Sequence, residues 1–250
     1  MSHKTKLILL AFVVVFFLAA CLGYWFYLSP PGKFPNKQTA IDAMMDTFPE
    51  ADIKEIQDVL FLDTKHVYVP FITNNEGYGS SFWQWKQHKW KFVSIDTGST
   101  PRIWTIDPEN PASTYIIWNF HPDNHLTSLT FYLMKERGYS FSDGKQSYQP
   151  EVEINFKTNL EDKPSYGSIK IPKAWQDYIL AESRLMESQS TEPLFSDWFQ
   201  PPQYYLGWRS MTKDGSEDYP PYPKNNNGFG TGDHLIEYMR YIDKEDLYGN

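Results

Sequence analysis

Cysteine is nearly absent: Cys21 is the only one in 250 residues. No intrachain disulfide can form, and downstream of residue 21 there is neither a thiol nucleophile nor a thiolate zinc site. Positive charge is also scarce. Twenty-three Lys and Arg stand against 31 Asp and Glu for a net charge of -8, and setting aside Lys4 and Lys6 leaves -10 on the rest. That sign argues against nucleic acid as a partner, and against attraction to anionic lipid or polyanionic wall polymers. It permits cation binding without indicating it, because acidity is commonly a solubility device. There is no internal repeat, nucleophile-elbow serine, zinc-protease helix or dinucleotide fingerprint, so no cofactor and no metal site is expected.

What is plentiful is apolar and aromatic surface. Leu7 to Leu28 holds no charge and no strongly polar group. As a helix it would reach roughly 33 Å, enough to cross a hydrocarbon core of roughly 30 Å. Lys4 and Lys6 precede it with no acid, which predicts a cytoplasmic leader at 1–6, a single transmembrane span at 7–28 and an extracytoplasmic remainder. Tyr24, Trp25 and Tyr27 lie at the outer end, where amphipathic rings favour the headgroup layer. The expected location is the cell membrane, single-pass, with the C-terminal region outside.

Leu18-Ala19-Ala20-Cys21 resembles the lipobox of bacterial lipoproteins. The resemblance implies cleavage before Cys21 and a diacylglycerol on its sulfur. It covers the N-terminus alone, and Leu22 to Leu28 stay apolar where a lipoprotein would normally begin a polar tether. The uncleaved signal-anchor is therefore preferred, with lipidation at Cys21 as the alternative.

Beyond a stiff spacer at 29–35, the sequence reads as α+β: an antiparallel-sheet-rich region with a few amphipathic helices. Asn36 is a natural cap for a helix over 38–47 carrying Ala40, Ile41, Met44 and Met45 on one side. Runs at Val59–Leu62, Val67–Phe71, Tyr78–Lys86, Trp90–Asp96 and Arg102–Ile106 predict a meander, similar in outline to cystatin-like folds, an analogy without functional content. Asp107-Pro-Glu-Asn-Pro111 divides a first half, 36–107, from a second, 112–250, expected to pack on it. The second half offers strands at Thr114–Phe120, Leu126–Met134 and Glu151–Phe156, then a helix from Ile171-Pro172 to Glu187 striped by Trp175, Tyr178, Ile179, Leu185 and Met186. Residues 192–211 resist assignment, 215–232 read as a polar loop, and a final helix from Thr231 or Asp233 is expected to carry Leu235, Ile236, Met239 and Ile242.

The first half has apolar residues on both faces of its sheet, with Trp90 and Phe92 in opposite parity to Val93 and Ile95. One short helix covers one face. Baring the other would expose rings worth roughly 4 kcal/mol each as an upper figure, so the second half is expected to cover it.

Four motifs invite chemistry. Asp96-Thr97-Gly98-Ser99 resembles the aspartic-protease turn, which implies Asp96 as a catalytic carboxylate. That chemistry needs two aspartates sharing a proton, and no second motif exists. The expectation is an ordinary turn, with Asp96→Asn costing about 1 kcal/mol or less. His121-Pro-Asp-Asn-His125 places two imidazoles near Asp123 but lacks a third ligand and a fixed spacing. Asn225 to Asp233 offers oxygens and amides without the acids of a calcium loop or the lysine of a phosphate loop. Trp83, Trp85, Trp90 and Trp104 form a candidate glycan platform, against which stands ordinary core packing.

These observations predict a membrane-anchored extracytoplasmic protein that binds something, a non-enzymatic binding or accessory module with a glycan or protein partner outside the cell. The alternatives are a hydrolase acting on cell-wall glycan or peptide, and a structural or assembly partner of another membrane protein.

Overall fold

The structure is a computed structural model that describes residues 3–142, 145–189, 204–222, 227–232 and 234–248. Helix α1 (His3–Gly23) runs on as a single π-helical stretch, Tyr24–Leu28. Its apolar span from Lys4 to Leu28 is almost wholly exposed, and it is long and apolar enough to cross a membrane. The Ser29 N–H donates to Tyr24 O at 2.9 Å, closing the wide turn, and Pro30-Pro31 then prevents continuation. Helix α2 (Lys37–Thr47) follows, capped as its sequence suggests: Thr39 N donates to Asn36 Oδ1 at 3.0 Å.

A mostly antiparallel, sheet-rich body accounts for the rest. The first sheet orders β1 (Ile53–Ile56), β3 (His66–Thr73), β4 (Tyr78–Lys86), β5 (Lys89–Asp96) and β14 (Gly228–Gly230), with β2 (Leu60–Phe61) beside β3. The second orders β12 (Tyr166–Lys170), β7 (Thr114–Asn119), β6 (Arg102–Thr105) and β15 (Leu235–Tyr238). The third orders β11 (Val152–Asn159), β8 (Leu126–Lys135), β13 (Tyr205–Thr212) and β16 (Arg240–Tyr241), the last running parallel to β13. A hairpin, β9 (Gly138–Ser142) with β10 (Lys145–Gln149), carries Tyr139, Phe141 and Tyr148, all exposed. Helix α3 (Lys173–Gln189) completes the set.

These elements stack in layers. Helix α2 covers one face of the first sheet through Ala40 and Met44 against Val67, Val69, Phe71, Trp83 and Ile95. Tyr68, Phe82 and Val93 on the other face meet Trp104 and Ile117 of the second sheet. That sheet's far side, through Ile103, Ile116 and Trp118, packs on Leu129, Phe131, Leu133 and Trp208 of the third sheet and on Trp175 and Ile179 of α3. The second sheet is thus covered on both faces, which is why Thr114–Phe120 reads as a near-continuous apolar run. Polar ties cross the same junction. Tyr68 OH donates to Trp118 O at 2.9 Å, and Asn119 Nδ2 reaches Gly79 O at 2.7 Å and Gln57 Oε1 at 2.8 Å. Gly79 permits this approach: a Cβ there would stand 2.3 Å from the Phe71 ring.

Several local expectations need correction. The final helix does not form; residues 235–238 and 240–241 are strands. Leu235 pairs with Thr105 and Ile236 with Trp104, so that segment closes the open edge of β6, and a free sheet edge outweighs a short helical pattern. Strand β6 leaves the expected meander and forms a hairpin with β7 across residues 106–113. The loop at 215–232 contributes β14 to the first sheet. Register slips between Phe82 and Trp83, so that β5 carries one extra residue near Val93. The bulge reverses parity, putting Trp90, Phe92 and Ile95 together on the α2 side and leaving Val93 opposite. In α3, Leu185 is exposed, and the side chain of Met186 lies outside the described residues, as do residues 192–203 of the unassigned stretch.

Candidate functional site

The four tryptophans singled out in the sequence do not share a face. Trp83 is 2% exposed and packs under α2, whereas Trp104, 1% exposed, lies in the layer between the first two sheets. Neither offers a face to a sugar. Trp85 and Trp90 are opposed across β4 and β5 near the hairpin tip and are half-buried, their rings 5.6 Å apart.

That tip meets the outer end of α1, an arrangement the sequence does not announce. Gln87 and His88 form its two-residue turn with φ of 56° and 61°. Side chains other than Gly, Asn or Asp seldom occupy this left-handed region, and strain of that kind persists where surroundings hold it. Here the end of α1 holds it. The His88 ring stacks on Trp25 at 3.9 Å and lies 5.5 Å from Trp85. Ser29 Oγ donates its one proton to Trp25 O at 2.6 Å, so its 2.9 Å contact with His88 Nδ1 requires Nδ1–H to be the donor. Trp90 Nε1 donates to Gly32 O at 2.9 Å, and the Phe34 ring packs edge-on to Trp83 and Trp90, each at 5.3 Å. Ser29 is buried by these contacts although its neighbours in α1 are bare. The spacer at 29–35 is therefore strapped down along the hairpin rather than swinging free.

Below the strap lies an open groove of about 630 Å³, lined by Leu22, Gly23, Phe26 and Tyr27 of the anchor and by Gln87 and Lys89 of the tip. Cys21, the lipidation candidate, is exposed on α1 just before it. Trp25, Ser29 and His88 were missed in the sequence. The available signal was a polar two-residue hairpin turn combined with a spacer too short to escape the hairpin's aromatics.

The remaining motifs are occupied structurally. Asp96 is buried, and its Oδ2 accepts from Arg102 Nε at 2.7 Å and from Arg102 Nη2, while Oδ1 accepts from Gly98 N at 3.0 Å. Burial pushes its carboxyl above the ordinary value, and Arg102 and the Gly98 N–H pull against that. Tyr238 lies over the Arg102 guanidinium at 3.2 Å. Asp96 is thus the buried half of an ion pair, and the expectation of a replaceable turn residue is withdrawn. His121 Nδ1 accepts from Asp123 N at 3.1 Å and its ring stacks on Tyr222, while His125, at φ 50°, ends the short turn. Among the described residues no three His, Cys, Asp or Glu side chains gather as a metal site. Of the 225–233 loop, Asn225, Asn226 and Asp233 lie outside the described residues; Gly228–Gly230 is β14.

Asp63 and His66 form a second polar pair: both carboxylate oxygens stand 2.9 Å from His66 Nδ1, and Gln84 Nε2 meets His66 Nε2 at 3.0 Å. Burial raises the Asp63 carboxyl, but hydrogen bonds from the His66 ring and the Lys65 and His66 amides outweigh it and hold it below the usual range. Among the described residues no hydroxyl or thiol nucleophile hydrogen-bonds this imidazole, so the pair lacks the geometry of a hydrolytic triad there. A cleft of about 800 Å³ opens between α3 and β15, lined among others by Arg184, Tyr204, Glu237, Tyr238 and Arg240. No protein-family model, curated protein or solved structure matches this chain.

Proposed function

We propose that this is a single-pass membrane protein whose sheet-rich body is held at the outer membrane surface as a non-enzymatic binding or accessory module. One observation carries the reading: a bare apolar helix long enough to span is joined to the body by an aromatic strap, Trp25–His88, Trp90–Gly32 and Phe34 on Trp83 and Trp90. A freely tethered domain would need none of these contacts. A hydrolase gains no support from the residues that suggested it, since Asp96 is paired with Arg102 and the histidines of 121–125 cap a turn. The anchor is read as uncleaved because Leu22 to Leu28 stay apolar and helical where a lipoprotein would normally begin a polar tether. The extracytoplasmic placement of the body rests on Lys4 and Lys6 before the span.

Protease added outside wall-stripped cells tests sidedness and attachment together: it should remove the body and leave a small membrane-retained fragment. Survival of residues 40–250 would reverse the topology. Labelled fatty acid should not enter the chain; label that disappears in Cys21→Ser would establish the lipoprotein form instead.

A further inference from the structure

We infer that the groove between the outer end of the anchor and the β4–β5 tip binds the headgroup of an anionic phospholipid from the surrounding bilayer. The inference rests on the span reading above and adds to it a ligand class and a site.

Depth comes first. The tip stacks His88 on Trp25 and, across the groove, Gln87 and Lys89 face Leu22, Gly23, Phe26 and Tyr27, not merely the last residue of the helix. Leu22 lies six residues before Leu28, or about 9 Å along a helix rising 1.5 Å per residue. The headgroup zone adds roughly 5–7 Å on each side of the hydrocarbon core. A body whose hairpin reaches that far down the span has its tip among headgroups.

Chemistry comes second. One wall of the groove is apolar and aromatic, suited to an acyl chain and glycerol backbone; the other presents the Gln87 amide and the Lys89 ammonium. Lys86 and Lys89 are both exposed, Lys91 donates to Gln87 Oε1, and Lys33 is exposed on the spacer strapped alongside. No acid occurs between Gln84 and Ser94 or anywhere before Asp42. A chain with a net charge of -8 therefore carries only basic charge on the hairpin tip and on the segment before Asp42. The overall acidity, which argued against anionic lipid, is carried elsewhere. The shape of the groove and its charge both fit an amphiphile with a phosphodiester head, and the strained Gln87–His88 turn sets Gln87 and Lys89 at its rim.

The test uses the full chain reconstituted in phosphatidylcholine vesicles containing a small fraction of pyrene-labelled phosphatidylglycerol or, in parallel, pyrene-labelled phosphatidylcholine. Energy transfer from protein tryptophan reports which lipid sits beside Trp25, Trp85 and Trp90. The wild type should favour the anionic probe about three- to tenfold at low salt, as one or two lysines near a headgroup provide. The Lys86→Gln/Lys89→Gln variant, checked for an unchanged thermal melt, should bring the ratio close to one. Equal transfer from both probes in the wild type would overturn the inference, as would a ratio unaltered in the variant. Flotation of the same samples separates the two ideas: a chain that fails to float with neutral vesicles removes the span reading and this site with it. A chain that floats but does not discriminate removes the site alone.

Discussion

The two ends of one hairpin, β4 with β5, behave differently. At the inner end Ser80, Ser81 and Phe82 face Asp96, Ile95 and Ser94, and all of them except Ser94 are buried. Charge there is neutralised within the fold by Arg102, and backbone polar groups are met by Asn119. At the tip Trp85, Lys86, Gln87, His88, Lys89 and Trp90 are half-buried or exposed, and besides body contacts at Lys65 and Phe61 they meet the end of α1 and its spacer. The same strand pair is a structural element at one end and a docking element at the other. An aromatic-rich strand therefore says little about function until it is known which end of it the rest of the chain covers.

Substitutions at the inner end should have the largest effects. Asp96→Ala leaves the Arg102 guanidinium buried without its counter-charge and should cost about 3–5 kcal/mol. At roughly 2–4 °C per kcal/mol for a body of this size, the melting temperature should fall by about 6–20 °C. A loss below about 1 kcal/mol in chemical denaturation would mean that the pair is not buried as described. Trp83→Ala, which opens a cavity beneath α2, should cost about 3–5 kcal/mol by the same measurement.

At the tip the effects should be smaller and of another kind. Trp90→Ala removes the hydrogen bond to Gly32 O and ring contacts with Phe34, Trp85 and Phe61, worth about 1–2 kcal/mol together. Cleavage within residues 29–35 by limited proteolysis should accelerate in this variant while the melt of the body changes little. A destabilisation as large as that of Trp83→Ala would erase the distinction between the two ends.

The smallest effect concerns pH and the Asp63–His66 pair on the flank of the sheet. Because the folded state holds Asp63 below its ordinary value of 3.8, its contribution is present above that pH and is lost as pH falls through the lower folded value. The difference in melting temperature between wild type and Asp63→Asn should be small near neutrality and shrink further as pH falls through the lowered folded value. A difference that grows on acidification would have the wrong sign.

Much of this was legible in the chain, and the rest was hidden for physical reasons. The apolar N-terminal helix, the Asn36-capped helix and the 78–96 hairpin are local, so hydropathy, capping and alternation reveal them. Apolarity on both faces of 78–96 goes with α2 on one side and the second sheet on the other, since alternation reports which faces are buried. It does not report which strand lies next to which. Strand β6 pairs with β7 and β15 instead of β5, and Leu235–Ile236 forms an edge strand, because both depend on partners more than 100 residues apart or on a competing hairpin. The bulge at Val93 was equally invisible, and it inverted the parity assigned to Ile95. The strap was missed because it joins residues some 60 positions apart and rests on His88, whose turn position gave no hint of a partner.

The central claim is that the anchor and the body form one rigid unit through the strap. Distance measurements between spin labels at Val13→Cys and Lys86→Cys, in a Cys21→Ser chain reconstituted in lipid nanodiscs, address it directly. The account predicts one narrow distance distribution, which broadens when Trp25 and Trp90 are both replaced by Ala. A distribution already broad in the chain with Trp25 and Trp90 intact, and unchanged by those replacements, would show a body on a free tether and contradict the account.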